Sequence, residues 1–75
     1  ELGSFNIRVN AIAPGLTNTS MMGKDISKKI IDEAIKRVAL KRPAEPEEIS
    51  DVVAFLASDL SSYVTGEVIF VTGGY

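Results

Sequence analysis

The chain has 75 residues and a formal net charge of −2, and it contains neither cysteine nor histidine. This composition excludes disulfides, the usual zinc sites and an imidazole base, and the interleaved charges provide no basic face for nucleic acid. Its apolar runs are too short for a membrane span, and Glu1-Leu2-Gly3 reads as a helix end instead of a signal peptide. A hydrophobic content of 45% is ordinary for a globular protein, but 75 residues have little interior, so we expect part of the apolar surface to face a missing partner.

The first predicted element is a β-strand over residues 7–12, whose alternation makes one face wholly apolar. Pro14-Gly15 follows, and the chain is expected to turn there because proline lacks a ladder donor and glycine adopts angles closed to other residues. The next residues are small and polar: Thr17, Asn18 and Thr19. Ligands of parallel α/β sheets bind at the carboxyl ends of strands. The pattern predicts a ligand loop, and the alternative is a turn whose side chains bond only to local backbone groups.

An amphipathic helix is predicted over residues 26–38, where apolar residues recur at helical spacing. Ser27 or Asp25 is placed to cap its start. Its polar face is expected to carry two weak ion pairs at i,i+4, Asp32 with Lys36 and Glu33 with Arg37.

A second helix is predicted to begin at Pro46, a residue that suits the first helical position. Glu47 and Glu48 in its first turn would complement the positive end of the helix dipole. Its apolar stripe consists of Ile49, Val52, Val53, Leu56 and Leu60. Phe55 lies off this stripe, so we expect it either to pack against the neighbouring helix or to form a subunit contact.

The last predicted strand, residues 68–71, is continuously apolar, as is typical of a parallel strand covered on both faces. Thr65-Gly66 precedes it and Thr72-Gly73-Gly74 follows it, which punctuates both ends. Strand, helix and parallel strand together form a βαβ unit. Two strands alone make a marginal sheet, so its outer edges are expected to pair with other chain segments.

Five segments together resemble the C-terminal part of the short-chain dehydrogenase/reductase family, in their order as well as in their residues. They are residues 6–15 (Asn-Ile-Arg-Val-Asn-Ala-Ile-Ala-Pro-Gly), 46–49, 55–59, 63–66 and 73–74. The resemblance implies an α/β fold, with residues 1–75 forming the C-terminal βαβ portion of one Rossmann-type doubly wound sheet. Residues 10–15 resemble the 3-oxoacyl-acyl-carrier-protein reductase branch and its sugar and alcohol dehydrogenase relatives more than the enoyl reductase branch.

The family's catalytic parts have no counterpart in this chain. Members carry a glycine-rich dinucleotide turn, a serine and a tyrosine followed four residues later by lysine, whereas Tyr63 is followed by Glu67 and Tyr75 is the last residue. We therefore expect the 75-residue chain alone to be inactive and to belong to a longer parent protein. The resemblance implies that this parent is an NAD(P)-dependent oxidoreductase that moves hydride between nicotinamide and a carbonyl or alcohol carbon.

The resemblance also assigns roles to residues in the loop after the first strand. Cofactor binding would involve Pro14, Gly15, Thr17 and Thr19, with the backbone of Thr17 meeting the nicotinamide carboxamide and Thr19 bonding to the amide or phosphates. Leu16, Met21 and Met22 would belong to a substrate lid, although plain hydrophobic packing is an alternative for the methionines. No metal ligand is expected. The cofactor would be NAD or NADP, because the strand that selects between them lies outside the chain.

The remaining expectations concern partners. Phe55 and Phe70 are predicted at an oligomer interface, since relatives form dimers or tetramers through this helix and the last strand. Arg42 matches the family pattern and is expected to pair with Glu47 or Glu48. A cytoplasmic location is predicted, with no nucleic-acid or membrane partner. The competing interpretation is a non-catalytic α/β interaction module that associates through its sheet edges.

Overall fold

The computed structural model describes residues 2–19 and 27–75 of the chain. These residues contain two strands, two α-helices and two short 3-10 helices. In chain order the elements are a 3-10 helix Leu2–Phe5, β1 Ala11–Pro14, α1 Lys28–Arg37, α2 Pro46–Ala57, a 3-10 helix Asp59–Ser61 and β2 Val68–Val71. Glu1 lies outside the described residues, and the predicted helix end next to it is the first 3-10 helix.

The two strands pair in parallel, with Ala11 opposite Val68 and Pro14 opposite Val71. The prediction of β2 at residues 68–71 is confirmed, as is the parallel βαβ arrangement. The predicted bounds of the first strand, 7–12, are wrong, because β1 begins at Ala11 and continues to Pro14. Proline is tolerated there because it is the last residue of its strand.

The side chains of Arg8 and Asn10 explain the late start of β1. Asn10 Nδ2 donates to the Val64 carbonyl at 3.0 Å, and its Oδ1 accepts from the Glu67 amide at 3.1 Å. The Asn10 side chain thus takes the Glu67 amide that a ladder carbonyl would take within a strand, and before it the only backbone bond between these segments runs from the Gly66 amide to the Val9 carbonyl at 2.8 Å, among the described residues. The regular ladder begins one residue later, where the Ala11 amide donates to the Glu67 carbonyl at 2.9 Å.

Helix α1 begins after Ser27, whose hydroxyl accepts from the Ile30 amide at 3.4 Å. Of the two predicted caps, Ser27 is therefore confirmed, and Asp25 lies outside the described residues. The predicted pairing of Lys36 with Asp32 is wrong, since Lys36 Nζ instead lies 3.3 Å from Glu33 Oε1, one helical turn away at i,i+3.

Helix α2 begins at Pro46 as predicted, with Glu47 and Glu48 in its first turn. It ends at Ala57, and Ser58 closes it by donating its amide to the Phe55 carbonyl at 3.1 Å. The predicted extension of the apolar stripe to Leu60 is wrong, because Leu60 belongs to the following 3-10 helix and is exposed.

Very little of the described chain is buried. Within residues 2–19 and 27–75, the one buried apolar residue is Val38, which follows α1 and is 2% exposed. The Cα radius of gyration is 15.3 Å, whereas about 11 Å is expected for a compact chain of this length. Large apolar side chains lie open on the surface, among them Phe5, Leu60, Tyr63, Phe70 and Tyr75. Much apolar surface is therefore left without cover in this chain.

Candidate functional site

The carboxyl ends of β1 and β2 approach each other closely at Gly15. The Gly15 amide donates to the Val71 carbonyl at 2.9 Å, which extends the ladder one residue beyond β1. A Cβ atom added to Gly15 would lie only 3.0 Å from the Thr72 Cα atom. Because the obstacle is backbone, a side chain at this position would push the strand ends apart. The turn predicted at Pro14-Gly15 is wrong, because the ladder continues through both residues and Gly15 has no positive φ. Glycine is favoured here by the close backbone approach instead.

Beyond Gly15 the chain forms a single parallel bridge between Thr17 and Ala44. The Ala44 amide donates to the Leu16 carbonyl at 2.9 Å, and the Asn18 amide donates to the Ala44 carbonyl at 2.7 Å. In this pattern the amide and carbonyl of Thr17 itself point away from Ala44. Neither group bonds to any residue in the described ranges. One donor and one acceptor therefore lie side by side on the free edge of the loop.

The side chains of the loop support a ligand site less clearly than the backbone of Thr17 does. The Thr17 hydroxyl donates to the Gly15 carbonyl at 3.1 Å, as in the local-turn alternative. Thr19 is exposed and forms no hydrogen bond with another described residue, while Leu16 and Thr17 are half-buried. Met21 and Met22 lie outside the described residues, so the predicted lid stays a prediction. The structure thus brings together Pro14, Gly15, Leu16 and Thr17 at the carboxyl end of the sheet.

An ion pair between Arg42 and Glu48 lies beside the Thr17–Ala44 bridge, at the start of α2. Arg42 Nη1 and Nη2 contact the two carboxylate oxygens of Glu48 at 2.7 and 2.9 Å, which selects Glu48 over Glu47 as its predicted partner. Glu48 Oε1 also accepts from the Glu45 amide at 2.9 Å. The hydrogen bond from Arg42 and the bond from the Glu45 backbone lower the pKa of Glu48 to about 2. Glu48 is therefore charged at all physiological pH values.

The loop also has a direct link to the first residues before α2. Asn18 Nδ2 lies 3.4 Å from Glu45 Oε1. Sequence reasoning did not anticipate this link or the bridge to Ala44, because the partners are far apart in the chain. The sequence contained one signal for the arrangement around Glu45. Glu45 and Glu48 have the spacing of a helix N-cap residue and a capping carboxylate at the third helical position.

The opposite end of the sheet is occupied by Arg8. Its Nη1 donates to Ser61 Oγ and to the Val64 carbonyl, both at 3.1 Å. Its Nη2 donates to the carbonyls of Leu56 at 3.1 Å and Ser58 at 3.3 Å, at the end of α2. Ser61, the buried polar residue, donates in turn to the Leu56 carbonyl at 3.0 Å. This cluster is structural, and it was not identified from the sequence.

The two predicted interface residues are both exposed in the single chain. Phe55 is 45% exposed on α2, and Phe70 is 72% exposed on β2 beside Val68. Both rings are therefore available for contact with residues outside this chain. Among the described residues, no helix has the length and apolarity needed to cross a membrane.

The parallel strand pair, its connecting helices and the loop at its carboxyl end form part of a Rossmann-type α/β domain. The family model described as Enoyl-(Acyl carrier protein) reductase matches residues 1–75. The chain belongs to the short-chain dehydrogenase/reductase family, which confirms the resemblance and the fold class predicted from the sequence.

Two relatives show which members of the family this chain is similar to. The chain is 51% identical over 74 residues to 3-oxoacyl-(acyl-carrier-protein) reductase FabG of Thermotoga maritima, covering 99% of this chain and 30% of that protein. It is 49% identical over 73 residues to 3alpha-hydroxysteroid dehydrogenase of Mediterraneibacter gnavus, covering 97% of this chain and 29% of that protein. The predicted similarity to the 3-oxoacyl-acyl-carrier-protein reductase branch is therefore confirmed.

A solved structure shows the same fold. The crystal structure of a 3-oxoacyl-(acyl-carrier protein) reductase with bound NAD from Brucella melitensis superposes with a TM-score of 0.85 and is 38% identical. The match covers 97% of this chain and 25% of that protein. The chain thus spans about a third or less of the length of each of these three relatives.

Proposed function

We propose that this chain is the C-terminal segment of an NAD(P)-dependent oxidoreductase, here called the parent protein. Two observations support a larger domain: relatives extend well beyond the matched segment, and the described residues bury almost no apolar side chain. In the parent protein, further strands and helices would cover the exposed apolar faces.

The observation that carries the proposal is the backbone of Thr17, whose amide and carbonyl bond to no residue within 2–19 and 27–75. A nicotinamide carboxamide presents one acceptor and two donor hydrogens, so it needs a donor and an acceptor at fixed spacing. The amide and carbonyl of Thr17 meet that need, and the bridge to Ala44 fixes their direction without any loss of side-chain freedom. Pro14 and Gly15 bring the loop to the strand ends, and the exposed hydroxyl of Thr19 would bond to the cofactor's amide or phosphates.

The cofactor, when bound, supplies or accepts hydride, and this chain would contribute one wall of its site. The catalytic tyrosine, lysine and serine would lie in the rest of the parent protein, so the 75-residue chain alone would be inactive. NAD and NADP are both compatible with the loop, because a carboxamide contact does not distinguish them. A cytoplasmic location is part of the same proposal.

For the substrate we propose a carbonyl or alcohol on an apolar or acyl-type molecule. Relatives named as 3-oxoacyl-acyl-carrier-protein reductase and 3alpha-hydroxysteroid dehydrogenase support this class. Leu16, half-buried beside the loop, would border that substrate together with Met21 and Met22. Flexible thioethers suit a pocket that adapts to apolar substrates.

The parent protein is proposed to be an oligomer that uses α2 and β2. Val68 and Phe70 stand exposed on the same face of β2, and Phe55 is exposed on α2. Sedimentation of the parent protein, with Phe70→Ser as the test variant and Leu60→Ser as a matched control on another exposed apolar site, would show whether this face joins subunits. An unchanged oligomer in Phe70→Ser would exclude the interface.

The experiment that tests the enzyme proposal starts from the complete reading frame. We expect upstream sequence with a glycine-rich turn and a Tyr-x-x-x-Lys pair, and we expect the purified parent protein to bind NADH or NADPH and to reduce a 3-oxoacyl thioester. A reading frame without these residues, or a protein that binds neither dinucleotide, would contradict the proposal. In that case the chain would be a non-catalytic α/β module, which sedimentation of the 75-residue chain can test directly.

A further inference from the structure

The bridge residue Ala44 is bonded through both of its flanking peptide groups. On the loop side, its amide donates to the Leu16 carbonyl and its carbonyl accepts from the Asn18 amide. On the far side, the Pro43 carbonyl accepts from Arg42 Nη1 at 3.2 Å, and the Glu45 amide donates to Glu48 Oε1 at 2.9 Å. Each peptide group therefore has one end on the loop and the other end on the Arg42–Glu48 pair.

The pair itself is rigid for a surface ion pair. Nη1 of Arg42 donates to Oε1 of Glu48 and Nη2 donates to Oε2, a two-point geometry that fixes the orientation of each group as well as the distance between them. Glu48 is anchored in the first turn of α2, and Arg42 spans from that turn back to Pro43. The 43–45 segment is thus held against α2 by polar contacts on either side of Ala44.

We infer that Arg42 and Glu48 are positioning residues for the cofactor loop: through Ala44 they set where the backbone amide and carbonyl of Thr17 point. This inference rests on the proposed function, since it assigns to Thr17 the contact with a nicotinamide carboxamide. Neither Arg42 nor Glu48 touches the cofactor. Their effect passes through the hydrogen bonds of Ala44 to Leu16 and Asn18, with the 3.4 Å contact between Asn18 and Glu45 as a second link.

The direction of the Thr17 peptide groups then depends on a small number of hydrogen bonds. A loop held only by its own turn would sample many directions of the Thr17 peptide groups, and binding would then include the cost of ordering them. With the 43–45 segment fixed, the Thr17 peptide groups are already oriented before the ligand binds. Loss of the pair is expected to lower affinity for the dinucleotide without removing any atom that contacts it.

The test compares two glutamate substitutions in the parent protein. Glu48→Ala removes the partner of Arg42 and of the Glu45 amide, whereas Glu33→Ala removes a similarly exposed ion pair on α1 that has no hydrogen bond to residues 14–19. We expect Glu48→Ala to raise the dissociation constant for NADH or NADPH roughly 5- to 20-fold, and Glu33→Ala to leave it within about twofold. Glu48→Gln keeps an oxygen for the Glu45 amide, so an intermediate value is expected.

Two further readouts separate positioning from general stability. The Michaelis constant for the dinucleotide should rise more than the turnover number falls, whereas simple loss of folded protein would lower turnover alone. Hydrogen exchange of the Asn18 amide, measured without cofactor, should accelerate in Glu48→Ala and stay unchanged in Glu33→Ala. Melting temperatures of both variants give the folded fraction at the assay temperature.

The outcomes distinguish this inference from the proposed function. If the wild-type parent binds a dinucleotide but Glu48→Ala binds it equally well, or the Asn18 amide exchanges at the wild-type rate, the positioning role is overturned and the enzyme proposal stands. If the wild-type parent binds neither NADH nor NADPH, the proposed function fails, and the assignment of the Thr17 backbone to a carboxamide fails with it.

Discussion

The two ends of the short sheet are built in opposite ways. At the amino end of β1, Arg8 and Asn10 give their side chains to six hydrogen bonds with the 56–67 region, and polar groups there are satisfied within the chain. At the carboxyl end, the loop is fixed by its bridge to Ala44, but the amide and carbonyl of Thr17 bond to no described residue.

This difference separates stability from recognition along one strand. Buried or half-buried polar groups cost free energy when they lack partners, so a saturated cluster serves the fold and leaves nothing for a ligand. Backbone groups on a fixed loop do the reverse when the described part of the chain offers them no partner, because they remain available to a ligand. We therefore expect substitutions at the amino end to change unfolding, and those at the carboxyl end to change binding.

The largest effect is expected from Arg8→Ala. It would leave the carbonyls of Leu56, Ser58 and Val64 without their charged donor, and we expect a loss of about 3 kcal/mol in the unfolding free energy of the parent protein. Urea unfolding measures this loss. Arg37→Ala, on the exposed side of α1, is the control, and a loss of the same size there would refute the special role of Arg8.

A smaller loss is expected from Gly73→Ala, just after β2. Gly73 has a φ of 66°, and an added Cβ atom would lie 2.9 Å from Val38 Cγ1, against the one buried apolar residue described. We expect about 2 kcal/mol of destabilisation from the strained backbone together with the clash.

Gly66→Ala is the matched control for Gly73→Ala. Gly66 also has positive φ, at 72°, but nothing lies within 4 Å of its added Cβ atom. Thermal unfolding of both variants isolates the contact with Val38, and equal losses in the two would show that backbone strain alone is responsible.

Proline scanning of the loop tests the carboxyl end directly. Thr17→Pro removes an amide that bonds to none of the described residues, so dinucleotide binding should weaken while stability changes little. Asn18→Pro removes the amide that donates to Ala44 and should also cost about 1 kcal/mol of unfolding free energy. Titration with NADH or NADPH and urea unfolding of both variants check these expectations, and the idea fails if Thr17→Pro binds like the wild type.

The smallest effect is the pH dependence that Glu48 confers. Its folded-state pKa of about 2 lies below the ordinary value of 4.5. The stabilisation from its ionised form is therefore complete above about pH 4.5 and is lost as pH falls toward 2. Unfolding free energy measured across this window should fall less steeply in Glu48→Gln, and identical slopes in the two proteins would contradict the assignment.

The sequence predicted the elements whose signals are local. Pro46 with its acidic neighbours marked the start of α2, Ser27 capped α1, and the apolar run at 68–71 formed β2 as predicted. The start of β1 was misjudged because Arg8 and Asn10 look like ordinary outward-facing strand residues until their partners are known. Those partners lie 48 to 57 residues away in the chain, and no local pattern encodes them.

The candidate site divides in the same way. Pro14 and Gly15 were identified because a sharp turn was predicted there, and that reason is wrong, since β1 continues to Pro14 and Gly15 extends the ladder without a positive φ. The close approach of Gly15 to Thr72, which favours a small residue, depends on a distant partner. The orientation of Thr17 depends on Ala44, an unremarkable alanine whose role comes only from its position. Hydroxyl and amide side chains drew attention to the loop, whereas its most suitable ligand groups belong to the backbone.

Asn10 also has a consequence for how the strands find their register. It joins residues 57 positions apart, and closing a segment of that length costs more than 2 kcal/mol above a tight hairpin, by about (3/2)RT times the logarithm of the length ratio. The apolar run of β2 offers little to distinguish one alignment from the next, and a slip by one residue would turn each side chain to the other face. The side-chain amide of Asn10 hydrogen-bonds to both Val64 and Glu67, so only one alignment of the strands allows both bonds. Asn10 therefore fixes the register in a slow, long-range pairing step.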